Sequence, residues 1–291
     1  MPIVSYFYDF MISTICVCGA GTMGSGIAQV AAMAGYRTVL FELNPGVLDR
    51  ARINLQKTLD NLLAKSKITE QIHTAVGENI SFTSNINDCK AHLIIEAIIE
   101  KPEAKISLFN QLAGINDDAT LFASNTSSLS ITELASQIQL PERVIGLHFF
   151  NPAPLMKLVE VVETNYNQPD SVNTVIQFVK QLGKQPVLCK DTPGFIVNRV
   201  ARPYYIASLR LAETGLYDFE TIDRLLENCG FKLGPFKLMD LIGNDINYAV
   251  SCSVYEQLNK PERLRPSNMQ KEKVENGDLG KKSGKGYYNY S

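Results

Sequence analysis

The segment LHFFNPAPLMKLVEVVE, from Leu147 to Glu163, places His148 twelve residues before Glu160. Glu160 stands in the apolar run Leu158-Val159-Glu160-Val161-Val162, where a buried carboxylate is costly unless a charged or donating partner meets it. His148, one of three histidines in the chain, is the obvious partner. Asn151-Pro152-Ala153-Pro154 between them has the residues of a turn, so two flanking extended runs would bring the pair side by side. An imidazole held by a carboxylate suits general base chemistry, because the carboxylate fixes the tautomer and stabilises the imidazolium formed when a hydroxyl proton is taken. The same spacing also fits a satisfied core histidine beside a solvent-facing glutamate.

A second signal lies near the start of the chain. Thr14-Ile15-Cys16-Val17-Cys18 reads as a short buried strand that runs into Gly19-Ala20-Gly21-Thr22-Met23-Gly24, followed by the apolar helical stretch Ile27 to Ala34. In a dinucleotide-binding turn Gly19 allows the tight bend, Gly21 lets a pyrophosphate approach the backbone, and Gly24 permits close helix packing. Thr22 and Met23 then lie where the N-terminal amides of the helix receive the phosphates. A second strand-like run, Arg37 to Phe41, ends in Glu42, eighteen residues past the last glycine and placed to accept hydrogen bonds from ribose hydroxyls. That carboxylate would repel a 2′-phosphate, and Leu43 and Asn44 supply no arginine to offset it, so these residues read as a site for NAD. The competing reading is a glycine-rich turn in another α/β protein.

The elements that must position these residues follow from the pattern. Strand-like runs Leu93 to Glu96, Thr120 to Ser124, Val144 to His148 and Lys157 to Val162 alternate with helical ones up to about residue 190, which predicts a largely parallel sheet covered by helices. Ser124-Asn125-Thr126-Ser127-Ser128 and His148 fall at strand C-termini, on the side where open α/β sheets bind ligands. Some of these serines could merely cap the helix that Leu129 to Ile138 predicts. After Lys190 the turn signal Asp191-Thr192-Pro193-Gly194 introduces helical stretches over Phe195 to Glu213, Phe219 to Asn228, about Pro235 to Leu258, and Ser267 to Asn276. The expected organisation is therefore two domains, 1–190 and 191–291, the second all helical. Low complexity is confined to the tail Gly280 to Tyr288.

Composition excludes several classes. With 291 residues the chain can bury one large core or two ordinary ones. A formal net charge of -2 gives no general attraction to nucleic acid, and no apolar stretch approaches the roughly 20 residues that span a bilayer. Six scattered cysteines have neither a CxxC pair nor metal-ligand spacing, so no metal is expected; they read as small core residues of a reduced, cytoplasmic protein. Met1 to Phe10 is apolar and aromatic without a basic flank, and reads as a short extension or an upstream start rather than a signal peptide.

Five motifs in order, GAGTMGSGIA at 19–28, SNTSSLSIT at 124–132, HFFNP at 148–152, KDTPGFIVNR at 190–199 and GPFKLMDLIG at 234–243, make the chain resemble the L-3-hydroxyacyl-CoA dehydrogenases, including the bacterial 3-hydroxybutyryl-CoA dehydrogenases. The resemblance runs from about Met11 to Tyr290. It implies a Rossmann-type α/β NAD-binding domain followed by an all-α C-terminal domain, and oxidation of an (S)-3-hydroxyacyl-CoA to the 3-ketoacyl-CoA with NAD, or the reverse, in fatty-acid β-oxidation or related acyl-CoA metabolism. It makes His148 the base that takes the C3 hydroxyl proton and Glu160 its orienting carboxylate, with Ser127 and Asn198 holding substrate oxygens. Glu100, Lys105 and Asn151 match positions that contact the ribose and nicotinamide end of the cofactor, Ser127 adjoins it, and Lys282 matches a tail lysine near it; for the first three and Lys282, simple surface solvation is the competing reading.

The resemblance also implies a grip on CoA by the segment from Pro45 to Ile68, a helix or helical hairpin carrying Arg50, Arg52, Lys57, Lys65 and Lys67, in which Thr58 and Lys65 match the contacting positions. A homodimer through the helical domain is expected on the same ground. Lys232 and Lys237 hint weakly at an acyl chain with a distal carboxylate, although both could face water. Two other functions stay open: a related β-hydroxyacid or sugar-acid dehydrogenase that does not use CoA, and a catalytically silent NAD-binding protein.

Overall fold

The computed structural model describes residues 12–290. The apolar segment 1–10 lies outside them. Contacts divide the chain into two compact units, with the division between Asp191 and Thr192.

The first unit is built on eight strands: β1 (Thr14–Cys18), β2 (Arg37–Phe41), β3 (Ile80–Thr83), β4 (Leu93–Glu96), β5 (Leu121–Ser124), β6 (Val144–Phe149), β7 (Leu158–Glu163) and β8 (Gln185–Lys190). They form one sheet in the order β3-β2-β1-β4-β5-β6-β7-β8. Every neighbouring pair is parallel except β6 and β7, which run antiparallel. Helices α1 (Thr22–Met33), α2 (Pro45–Ala64), α3 (Glu70–Asn79), α4 (Pro102–Ala113), α5 (Ile131–Ala135) and α6 (Pro169–Gln181) complete the unit.

Burial explains which strands formed where the pattern put them. Residues 15–18 of β1 and 93–96 of β4 are fully enclosed, so both faces are apolar and the run is unbroken. β3 and β8 close the two edges and are half-exposed, and for that reason carry no continuous apolar run. The chain passes from β3 on one side of β1 to β4 on the other, which opens a crevice at the C-terminal ends of β1 and β4, where parallel sheets of this kind take ligands. The helix expected over Leu129 to Ile138 is only Ile131–Ala135, and its cap is Ser130, whose hydroxyl accepts from Glu133 N.

The second unit consists of α7 (Val197–Glu213), α8 (Phe219–Asn228), α9 (Pro235–Ile242), α10 (Asn244–Gln257) and α11 (Asn268–Glu275). The single helix expected from Pro235 to Leu258 is broken at Gly243, whose φ of 105° is open to glycine at little cost. The low-complexity tail is packed into this unit. Tyr287 packs with Phe236, Met239 and Tyr205 in the core of this unit. Asp240, almost fully buried, accepts from Tyr287 N, Tyr288 N and the Tyr290 hydroxyl, while buried Asp223 accepts from Phe236 N, Lys237 N and the Tyr288 hydroxyl. A Cβ at Gly286 would collide with the Asp240 carboxylate, so this strap can lie against α9 only with glycine there.

Asp240→Ala leaves buried donors without an acceptor, and is expected to lower the unfolding free energy by about 2–4 kcal/mol in a urea titration. A loss under about 0.5 kcal/mol would mean that the strap is not anchored at Asp240.

Candidate active site

Because β6 and β7 are antiparallel, His148 and Glu160 are direct cross-strand partners in the ladder. Both are buried, and Nδ1 of His148 lies 2.7 Å from Oε2 of Glu160. A carboxylate only accepts, so Nδ1 carries the proton and the proton-accepting nitrogen is Nε2. The imidazole also packs against Phe150, ring centroids 4.4 Å apart. Asn125, at the end of β5, accepts from Phe149 N at 2.9 Å and braces the end of β6 beside the histidine.

The glycine turn occupies the crevice. Gly19 has a φ of 104°, and a Cβ there would lie 2.6 Å from the Ala97 carbonyl oxygen at the end of β4. A Cβ at Gly24 would collide with the Gly19 carbonyl, whereas Gly21 faces open space. Gly21 caps α1 without any side-chain acceptor, and the first turn holds no acid, so the amides around exposed Thr22 and half-buried Met23 point at solvent with the positive end of the helix dipole. Glu42 closes the other side, accepting from Ala20 N and Asn44 N, both at 3.1 Å. These residues fit a dinucleotide: an anion cradle that a larger side chain would fill, beside a carboxylate suited to ribose hydroxyls.

Glu100, Lys105 and Ser127 come together. Lys105 is 1 % exposed, so surface solvation does not describe it. Its ammonium sits 3.1 Å from Glu100 Oε2 and 2.6 Å from Oε1 of Glu96, a fully buried carboxylate. Glu96 also accepts from Ser124 Oγ at 2.6 Å and Ile98 N at 2.7 Å. Glu100 Oε1 in turn accepts from Thr126 Oγ1, Ser127 N and Ser128 Oγ. Burial raises the Glu96 carboxyl above the ordinary range, against lowering by Lys105, Ser124 and Ile98 N. Glu96 was not among the residues singled out from the sequence, although a carboxylate closing the apolar run Leu93-Ile94-Ile95 is the same signal that drew attention to Glu160.

A cleft of about 490 Å³ adjoins the glycine turn, lined on one wall by Gly21, Thr22, Ser25, Gly26 and Gln29 and on the other by Arg50, Asn54 and Thr58 of α2, with Pro154 at one end. Arg50, Asn54 and Thr58 fall at every fourth position and so form one ridge of the helix. Of the five cations on this segment only Arg50 lines the cleft: Arg52 lies over the Phe82 ring, and Lys65 is exposed at the C-terminal cap of α2.

The remaining candidates have their places within their own units. Asn151 is exposed in the turn after β6. Asn198 lies in the first turn of α7 and Lys282 in the strap of the second unit, where its ammonium is 2.6 Å from Asp245. Lys237 is likewise tied up, 3.0 Å from Glu227, so its charge is already met. The cysteines divide: Cys16, Cys18, Cys89 and Cys189 are buried, Cys252 is half-buried and Cys229 is exposed. Among the described residues no group of His, Cys, Asp or Glu could hold a metal ion, and no helix is long and apolar enough to cross a membrane.

Comparison with known proteins places this geometry in a family. Residues 14–192 match the family described as 3-hydroxyacyl-CoA dehydrogenase, NAD binding domain, and residues 194–290 match its C-terminal domain. The 3-hydroxyadipyl-CoA dehydrogenase of Escherichia coli K12 is 44% identical over 96% of this chain, which spans 59% of that longer protein. The mitochondrial hydroxyacyl-coenzyme A dehydrogenase of Rattus norvegicus is 39% identical over 96% of this chain and 92% of its own length. The crystal structure of (S)-3-hydroxybutyryl-CoA dehydrogenase from Ralstonia eutropha superposes with a TM-score of 0.92 at 36% identity, covering 96% of this chain and 99% of that one. The chain belongs to the 3-hydroxyacyl-CoA dehydrogenase family.

Proposed function

We propose that the protein interconverts (S)-3-hydroxyacyl-CoA and 3-ketoacyl-CoA with NAD. The observation that carries this reading is the buried His148–Glu160 pair at the end of a sheet whose crevice holds a dinucleotide turn. Bound NAD supplies the acceptor for the hydride that leaves C3. His148 takes the hydroxyl proton at Nε2, and Glu160 holds Nδ1–H and stabilises the imidazolium so formed. Ser127 and Asn198 donate to the substrate oxygens, and Glu100, Lys105, Asn151 and Lys282 serve the ribose and nicotinamide end of the cofactor. A soluble cytoplasmic setting and a role in acyl-CoA metabolism belong to the same reading.

The cleft beside α2 takes the CoA portion, with Thr58 and Arg50 as its polar wall and Lys65 beyond it. From Gly21 to Gln29 the opposite wall runs about 12 Å along α1, longer than a cofactor pyrophosphate at the helix terminus requires. No carboxylate lines the cleft, and Arg50 makes no ion pair among the described residues, so its guanidinium is available to a phosphate. The helical unit leaves Val200, Leu216, Leu225 and Leu241 more than half exposed, which supports a homodimer through this unit. Sedimentation at micromolar concentration should give twice the chain mass; a monomer there would remove that part of the reading.

Incubation with acetoacetyl-CoA should consume NADH rapidly, with far slower loss from NADPH and none with free acetoacetate. Turnover of free acetoacetate at a similar rate would favour a dehydrogenase that does not use CoA, and NADH binding without turnover a silent binding protein. His148→Gln should lower kcat by about 10²–10⁴-fold, and Glu160→Gln by at least about tenfold, with little change in either KM. Full activity in either variant would refute the general-base assignment. Arg50→Ala should raise KM for acetoacetyl-CoA about tenfold but leave acetoacetyl-pantetheine unaffected, with a smaller effect from Lys65→Ala. An equal loss with both thioesters would show that Arg50 does not meet the nucleotide phosphates.

A further inference from the structure

A closed ring of polar contacts stands behind the turn that carries Ser127. It runs from Ser124 to Glu96, from Glu96 to Lys105, from Lys105 to Glu100, and from Glu100 back to Thr126 and Ser127. Ser124 and Thr126 are two residues apart in the chain yet are also joined the long way round, through the end of β4 and the first turn of α4. Ser124, Glu96, Lys105 and Thr126 are all at least 99 % buried, whereas Glu100, with 41 % of its side chain exposed, and half-buried Ser127 reach the surface.

A buried Glu–Lys pair is a poor device for stability, since an apolar pair of the same shape commonly does as well. What the charges supply is placement. The ring holds two carboxylates and one ammonium, so Lys105 cannot satisfy Glu96 without also fixing the distance to Glu100. Glu100 then has one oxygen committed to Lys105 and the other to the 126–128 turn, and neither the carboxylate nor the turn can shift alone. A second route starts from the same residue: the Glu96 carbonyl accepts from Asn125 N at 2.8 Å, and the Asn125 side chain holds Phe149 N next to His148.

We propose that Glu96 is a positioning residue of the site, acting through Lys105 on Glu100 and thereby setting the turn that presents Ser127 to the cofactor. It touches no ligand itself. This rests on the dehydrogenase reading, in which Glu100, Lys105 and Ser127 face the cofactor.

The test is a double-mutant cycle read as the dissociation constant of NADH, measured by fluorescence on the full chain, with KM and kcat for acetoacetyl-CoA in parallel. Glu96→Gln keeps the shape and can still bond Ser124 and Ile98 N, but removes the charge that holds Lys105. It should weaken NADH about tenfold, and because the same turn carries Ser127, which donates to the substrate oxygens, kcat for acetoacetyl-CoA should fall with it. In a Glu100→Ala background, where the ring is already cut, the same substitution should change NADH binding by less than about twofold. A Glu96 that only supports the fold predicts equal losses in both backgrounds, in step with a fall in Tm, and that result overturns the proposal, as does unchanged NADH binding in the single variant. If Glu96→Gln does not fold, Ser124→Ala cuts the same ring and should weaken NADH about threefold, again only when Glu100 is present. Wild-type protein that binds NADH but turns over no CoA ester would sink the dehydrogenase reading, yet the cycle would still decide whether Glu96 acts through Glu100.

Discussion

The hydrogen bond between His148 and Glu160 depends on one reversal of strand direction. All other neighbours in the sheet are parallel and are joined by crossovers; only β6 and β7 are joined by a short turn, and only there can residues twelve apart lie directly opposite each other. The register is strict. A slip of one residue would turn Glu160 to the other face and leave a buried carboxylate without its partner. Close approach of the two strands requires Gly146, because a Cβ there would come within 2.6 Å of the Val162 side chain. Gly146 and Val162, facing each other two positions along the ladder from the pair, thus hold the geometry that the imidazole needs.

Helix α1 joins this hairpin to the dinucleotide turn. Gly24 lets its first turn rest on the Gly19 carbonyl, and Gly26 receives Ala153 and Pro154, which a Cβ would meet at 3.2 Å. Two glycines two residues apart on the same helix therefore relate the anion cradle to the turn between β6 and β7. Small residues here act as a spacing rule, with the helix backbone as the common reference.

What could be read from the sequence followed burial. β1 and β4 stood out to the residue because enclosed strands are close to continuous apolar runs, while β3 and β8 did not because edge strands mix polar and apolar side chains. His148 and Glu160 were legible as a pair because a short turn links them. Glu96 and Lys105 were not, although they are only nine residues apart, because one ends a strand and the other lies in a helix that must pack back before they meet. Among the five cations of the α2 segment, no spacing rule favoured Arg50; the facing of one ridge toward the cleft did so. The break at Gly243 was hidden because the helical pattern continues on both sides of it, and only the positive φ interrupts it.

The strap of the second unit sets an order of events in synthesis. Asp223 and Asp240, on α8 and α9, draw donors from Tyr287, Tyr288 and Tyr290, so the helices are made well before some of the groups that hydrogen-bond their buried carboxylates. The first unit has no such delay, since Asp191, its last residue, already finds Ser130 and Thr132 in chain made earlier. A nascent chain halted near Gly280 would hold a complete sheet, while its helical unit would still lack the donors of Tyr287, Tyr288 and Tyr290 that Asp223 and Asp240 accept from.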